Sequence, residues 1–231
     1  MFSAIILAAG SSSRMEGTNK QLAKIADTPV FIMSALAFQR SDKVSEIIIA
    51  APADETERFE RMARNYGVTK LKAAVGGGAT RALSVKAALE CVSEDIAHVA
   101  VHDGARPLIT TEEIDRVLRD AEEYGAAIGA VKATDTVKVS DSDGFVEATP
   151  PRETLYYAQT PQAFSKALYL ECLEALGDRI ENATDDSSIF EMCGKRVKIT
   201  EICCCNMKIT RPDDLAAAQA IYDTRRMVKG L

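Results

Sequence analysis

Ala4-Ile-Ile-Leu-Ala-Ala-Gly10-Ser-Ser-Ser-Arg14-Met15 reads as a β-rich apolar run that dissolves into small residues and then a cation, with Lys20-Gln21 close behind. Small residues let backbone N–H groups approach a phosphate chain, as in glycine-containing loops at the carboxyl end of the first strand of an open sheet. Arg14 and Lys20 then supply positive charge to the phosphates. The spacing is neither GxGxxG nor GxxxxGK[ST], which removes most of the support for a dinucleotide-binding oxidoreductase or a P-loop enzyme.

Moving outward, further strand candidates stand at 44–50, 70–75, 98–102, 126–131 and 197–202, with amphipathic helical stretches between them. This alternation predicts an α/β fold: a Rossmann-like, doubly wound, mostly parallel sheet with helices on both faces and right-handed crossovers. Helix starts are legible at Pro29 after Thr28, at the Thr110/Glu113 capping box, and at Pro212 after Thr210. One segment breaks the rhythm. Between 134 and 159 three short extended runs, at 136–139, 145–148 and 155–158, are separated by Ser140-Asp-Ser-Asp-Gly144 and Pro150-Pro151, which predicts an inserted β-hairpin arm.

The chain has 231 residues and 47% hydrophobic content, so a single α/β domain spanning 1–231 is expected. The 28 basic and 34 acidic residues give a net charge of −6 with no long like-charge run, which argues against a nucleic-acid or acidic-membrane partner. An anionic substrate therefore needs a local basic pocket. No stretch is apolar enough to span a bilayer and no basic leader precedes the first strand, so a cytoplasmic protein is expected. Cys91, Cys172, Cys193 and the run Cys203-Cys204-Cys205 show no paired CxxC spacing. On a strand, three adjacent cysteines alternate between faces, so reduced structural thiols are expected. His98 and His102 share a strand face and read as core or solvated histidines.

Two further stretches carry chemistry. Val101-His-Asp-Gly-Ala-Arg-Pro107 places Asp103 at the end of a central strand, where it can hold Mg²⁺ or its water shell, and Arg106 can fork onto a phosphate. Gly76-Gly-Gly-Ala-Thr-Arg-Ala-Leu-Ser84 is a glycine-rich turn leading into a helix, suited to a base or ribose.

These stretches, together with Thr134-Asp-Thr-Val-Lys138, Pro151-Arg-Glu153, Ala158-Gln-Thr-Pro-Gln-Ala-Phe164, Thr184-Asp185 and Asn206-Met-Lys-Ile-Thr-Arg-Pro212, occur in an order and spacing that resembles the 2-C-methyl-D-erythritol 4-phosphate cytidylyltransferase family over essentially the whole chain. The resemblance implies a magnesium-dependent nucleotidyltransferase of isoprenoid precursor biosynthesis that joins CTP to a small polyol phosphate. It assigns the backbone of Ala8, Ala9, Gly10, Ser11, Ser12 and Ser13, with Gly77, Ser84 and Asp103, to the nucleotide. Arg14, Lys20 and Lys208 become the catalytic cations. Asp103, Arg106, Thr136, Arg152, Thr160, Thr184 and Lys208 shape the acceptor site, and Asp103 meets Mg²⁺ through metal-bound water.

There are two departures. Ala79 follows the glycines where many members carry a polar residue, and Ile202-Cys-Cys-Cys205 replaces a more polar, glycine-containing stretch. The rival readings are a ribitol 5-phosphate cytidylyltransferase, which shares the phosphate loop and the Gln-Thr-Pro-Gln run, and a catalytically silent nucleotide-binding scaffold. The arm exposes Val137, Val139, Phe145, Val146, Leu155 and Tyr156 on too few strands to be stable alone, so a partner surface is expected, and the resemblance implies a homodimer in which Thr136 and Arg152 reach the neighbour's site.

Overall fold

The structure is a computed structural model that describes residues 1–10 and 19–229. In chain order the elements are β1 (Phe2–Leu7), the small hairpin β2 (Lys24–Ile25) and β3 (Thr28–Pro29), α1 (Val30–Gln39), β4 (Val44–Ala51), α2 (Thr56–Asn65), β5 (Leu71–Gly76), α3 (Arg81–Leu89) and β6 (His98–Asp103). They continue with α4 (Thr111–Tyr124), β7 (Ala126–Lys132), β8 (Val139–Ser140), β9 (Val146–Ala148), β10 (Tyr156–Ser165), α5 (Lys166–Leu176), α6 (Asp186–Met192), β11 (Lys198–Glu201) and α7 (Pro212–Lys229).

Seven strands form one sheet in the order β11-β7-β10-β6-β1-β4-β5. Six run parallel and β10 runs against its neighbours β6 and β7. Strand order reverses at β1, which pairs with β4 on one side and β6 on the other. In that second pairing Leu7 lies opposite Asp103, so the carboxyl end of β1, leading into Ala8-Ala9-Gly10, and the acidic end of β6 open into the same crevice. Ligands of doubly wound sheets bind at such reversal points.

Side-chain alternation on the buried strands explains why helices cover both faces. Ala4 and Ile6 of β1 join a core with Phe31 and Phe38 of α1, Phe59 of α2 and Val117 of α4. Ile5 joins the opposite core, with Val85 of α3, Tyr169 of α5 and Phe190 of α6. Each such large apolar side chain contributes about 1.5–3 kcal/mol on burial. The predicted helix starts are present: α4 begins with a reciprocal Thr110–Glu113 capping box, and Pro212 opens α7.

Two expectations need correction. The run at 155–158 is not a third strand of the arm. It begins β10, which pairs with β7 through Tyr156–Ala158 and, after a register shift, with both β6 and β7 through Gln162–Phe164. The arm proper is the two-stranded β8–β9 hairpin, whose Phe145 and Val146 are 72% and 63% exposed. Second, Cys203-Cys204-Cys205 lies beyond β11, which ends at Glu201, so strand alternation does not apply to it. Cys203 and Cys204 are exposed on a turn and do not pack as core thiols.

His98 and His102 are packing residues as expected, tilted against Phe2 and Phe38 respectively. Among the described residues no helix is long and apolar enough to cross a membrane.

Candidate active site

Two cavities open at the carboxyl ends of β1 and β6, and three side chains are common to both: Arg81, Asp103 and Lys208. The first, of about 450 Å³, is bounded by Ala9 and Gly10 of the phosphate loop, Lys20 and Gln21, the turn Gly78-Ala79-Thr80, and Ser84. The second, of about 280 Å³, adds Arg106, the segment 158–160 with Gln162, and Thr184-Asp185. A volume of a few hundred cubic ångströms suits a small ligand. The wall between the cavities is therefore built of charge.

At its centre stands Asp103. Lys208 Nζ lies 2.8 Å from its Oδ2, Arg106 Nε 3.6 Å from the same oxygen, and Arg81 Nε 3.7 Å from Oδ1. Burial alone would raise this carboxyl's pKa, but Lys208, Arg81 and Arg106 outweigh it and hold the group well below the usual carboxylate range. Asp103 is therefore ionised at any working pH. Three cations thus surround one carboxylate, although Arg81 is also paired with Asp186 and Asp185 lines the second cavity.

The backbone explains how these groups meet. Gly104 lets the chain turn tightly over β1, since a Cβ there would lie 2.9 Å from the Leu7 carbonyl oxygen. The Asp103 N–H donates to Thr160 Oγ1 at 3.0 Å, and the same hydroxyl stands 3.0 Å from His102 Nδ1. On the other side of the ring, His102 Nε2 stands 3.2 Å from the Arg106 carbonyl. A neutral imidazole protonated on Nε2 satisfies both contacts, with Thr160 donating to Nδ1. Burial drives the His102 pKa down to about 4, which keeps it neutral. His102 and Thr160 thus fix the bend that presents Asp103 and Arg106.

Arg81, at the first position of α3, is tied to two acids of this region, Asp186 and Asp103. It donates a hydrogen bond to Asp186 and approaches Asp103, and Tyr169 donates its hydroxyl to the other oxygen of Asp186. Burial opposes the Arg81 charge, but Asp186 and Asp103 more than restore it, so its pKa is raised. Asn206 ties together three residues that line the second cavity. Its amide donates to Gln159 Oε1 and the Thr160 carbonyl at 2.9 Å each, and its own carbonyl accepts from Arg106 at 2.9 Å.

The structure gathers most of the expected site residues and reassigns several. Ala9, Gly10, Lys20, Ser84, Asp103 and Lys208 line the first cavity, and Arg106, Thr160, Thr184, Asp103 and Lys208 line the second. Ser11, Ser12, Ser13 and Arg14 lie outside the described residues. Ala8 is buried in the core and does not line the cavity. Gly77 also stays out of the lining: a Cβ there would come within 2.3 Å of the Ala9 Cβ, so its role is to let the glycine turn pack against the phosphate loop, while Gly78 and Ala79 face the ligand space. Ser84 hydroxyl holds that turn, accepting from the Gly78 N–H at 3.1 Å.

Thr136 and Arg152 line neither cavity of their own chain; Arg152 donates to the Thr134 carbonyl at 2.8 Å on the exposed arm. Sequence reasoning quoted Arg81 as part of a motif but gave it no role. Its position directly after the helix-capping Thr80, at the mouth of a glycine turn, is the signal that could have found it.

Comparison with known proteins follows the same outline. The family model described as 2-C-methyl-D-erythritol 4-phosphate cytidylyltransferase matches residues 2–224. A protein of that name from Alkaliphilus oremlandii is 40% identical over 226 residues, covering 97% of this chain and 96% of the relative. Another from Geobacillus kaustophilus is 38% identical over 226 residues, covering 97% and 98%. The crystal structure of 4-diphosphocytidyl-2C-methyl-D-erythritol synthase from Anaerococcus prevotii superposes with a TM-score of 0.85 at 31% identity, covering 96% of this chain and 98% of that one.

Proposed function

The chain belongs to the 2-C-methyl-D-erythritol 4-phosphate cytidylyltransferase family, and from that premise we propose that it transfers the cytidylyl group of CTP to 2-C-methyl-D-erythritol 4-phosphate through the two joined cavities. CTP occupies the first cavity and the acceptor phosphate the second. The observation that carries this assignment is their shared wall, where Arg81, Asp103 and Lys208 face both spaces. An acceptor phosphate oxygen attacks the α-phosphorus in line; the new P–O bond forms as the bond to the β-phosphate oxygen breaks and pyrophosphate leaves. The attacking phosphate is already an anion, so no general base is needed. The barrier is charge repulsion and alignment.

Each cation has a distinct part in this scheme. Lys20 reaches over the phosphate loop, close to where a Gly10 side chain would start, and with Arg14 takes charge from the departing pyrophosphate. Lys208 stands between donor and acceptor and stabilises the charge that develops at the reacting phosphorus. Arg106 and Thr184 grip the acceptor.

Magnesium fits the donor set. Among the described residues lining the first cavity, Asp103 is the one acidic side chain, and Mg²⁺ commonly combines one or two carboxylates with substrate phosphates and water. Because Lys208 and the two arginines already crowd its oxygens, Asp103 would hold the ion through bound water. When bound, the ion neutralises triphosphate charge and favours the departure of pyrophosphate.

The working unit is a homodimer built on the β8–β9 arm. The exposed Phe145 and Val146 need a partner surface, and Thr136 and Arg152, which line neither cavity of their own chain, would serve the site by reaching a neighbour's second cavity. Mixing inactive Lys20→Ala subunits with inactive Arg152→Ala subunits should then recover part of the activity, since heterodimers hold one site with both residues intact. Subunit exchange proved by mass without recovered turnover would rule out Arg152 acting across the interface. The free state of the six cysteines supports a reducing, cytoplasmic setting. Pyrophosphate release measured over four nucleoside triphosphates and a panel of polyol phosphates tests the substrate assignment and separates it from the ribitol 5-phosphate and silent-scaffold alternatives.

A further inference from the structure

The turn after β11 places three thiols together. The Sγ atoms of Cys203, Cys204 and Cys205 all lie within 4.8 Å of one another, and among the described residues they form the one group of three or more potential metal ligands this close. Consecutive residues on a strand could not do this, but β11 ends at Glu201 and the chain then turns. We propose that Cys203, Cys204 and Cys205 form a thiolate site for one soft divalent cation, Zn²⁺ being the ion they suit, with the fourth coordination position filled by water.

Two observations carry the assignment, and a third bears on its charge. The first is geometric. Zinc–thiolate bonds of about 2.3 Å in a tetrahedral arrangement set sulfur atoms roughly 3.8 Å apart, so the thiols must close by about 1 Å or less to share an ion. Two of them are exposed, which leaves room for that adjustment and for the water ligand.

The second is that the turn is held from outside. Cys203 N–H donates to Glu113 Oε1 at 2.7 Å, while Glu113 Oε2 accepts from Thr110 N–H at 3.0 Å in the α4 cap. Cys203 carbonyl accepts from Asn206 N–H at 3.2 Å, and Cys205 N–H points to Cys203 Sγ at 3.4 Å. The backbone is therefore fixed at both ends of the turn, so closing the thiols around an ion orders little additional chain.

The third is charge. Each ligating thiol gives its proton to solvent, and three thiolates with one Zn²⁺ leave one net negative charge. Arg225, anchored to the Leu108 carbonyl at 2.6 Å, opposes that charge, whereas the Glu113 carboxylate that accepts from Cys203 N–H adds to it, so the geometry of the thiols carries the assignment. Soft thiolates select zinc over the hard Mg²⁺ used by phosphates, so this site does not compete for the catalytic ion.

The test uses the full-length, fully reduced protein in excess magnesium, with Co²⁺ as a spectroscopic stand-in for zinc. The expected result is a thiolate-to-cobalt charge-transfer band in the near ultraviolet that saturates at one equivalent, is abolished by one equivalent of Zn²⁺, and is accompanied by proton release. Cys203→Ser/Cys204→Ser/Cys205→Ser should remove the band while circular dichroism and melting show a folded protein. Cys204→Ser alone, at an exposed position, should weaken binding more than tenfold. Absence of the band in the folded wild type, or a band unchanged in either variant, would overturn the proposal.

Discussion

Replacing Lys208 with alanine separates catalytic charge from structural charge. Its ammonium is the nearest of three cations to Asp103, at 2.8 Å, but the Lys208 side chain is 42% exposed and the carboxylate it faces keeps Arg106 and Arg81 after the substitution. Half-exposed ion pairs contribute roughly 0–1 kcal/mol to folding. In a chain of this size that corresponds to a melting shift of no more than about 2–4 °C. The rate is another matter. A preorganised donor aimed at developing charge contributes about 3–4 kcal/mol in a transition state, so kcat should fall by about 10²–10³. The assay is pyrophosphate release at saturating CTP and acceptor, beside a thermal melt of the same sample. A kcat within threefold of the parent would refute the placement of Lys208 at the reacting phosphorus. A melting loss well beyond 4 °C would show that its main work is to hold Asp103.

Arg81→Ala should behave in the opposite way, because it strips the buried Asp186 of its cation and leaves Tyr169 as the partner; a loss of about 3–5 kcal/mol in denaturant unfolding is expected, and a loss under 1 kcal/mol would contradict the pairing. Lys20→Ala should lower kcat about 10²-fold with an unchanged melt, and unaltered turnover would remove Lys20 from the phosphate site. His102 gives a pH signature. Its folded pKa of about 4 lies below the unfolded value near 6.5, so the unfolded chain takes the proton first. Its contribution is full above pH ~6.5 and is lost as pH falls toward 4, by about 3 kcal/mol in all. Urea unfolding from pH 7 to 4 should show this slope in the parent and a shallower one in His102→Gln; equal slopes would rule out the buried neutral imidazole.

The parallel strands were legible because each is an apolar run, and buried parallel strands demand little else of a sequence. Strand β10 was not, for a reason that lies in its chemistry. Its middle reads Gln159-Thr-Pro-Gln162, polar and interrupted by a proline that cannot donate to a ladder, which resembles a loop. Those residues sit in a central strand because they serve the site. Thr160 holds Asp103 and His102, and Gln162 donates to Asp185 while accepting from the Ser187 N–H.

The glycine turn does line the first cavity, through Gly78 and Ala79, yet which of its glycines faces that space depends on packing against Ala9, a contact distant in sequence. Asp103, Arg106 and Lys208 could be named one by one, but their convergence on a single carboxylate, with Arg81 as the fourth member, depends on the strand order around β1. For the cysteine run, the error lay in extending a strand by a few residues. That small shift in a boundary replaced an alternating row with a converging turn.

The central claim is that the two cavities joined at Asp103 bring CTP and a methylerythritol phosphate together. The most direct measurement is pyrophosphate release by the purified protein with each of the four nucleoside triphosphates against 2-C-methyl-D-erythritol 4-phosphate, ribitol 5-phosphate and other polyol phosphates. Magnesium-dependent turnover confined to CTP with the methylerythritol acceptor, and lost in Lys208→Ala, is the predicted result. Equal or greater turnover with ribitol 5-phosphate, or none with any pair in the folded protein, would contradict the account.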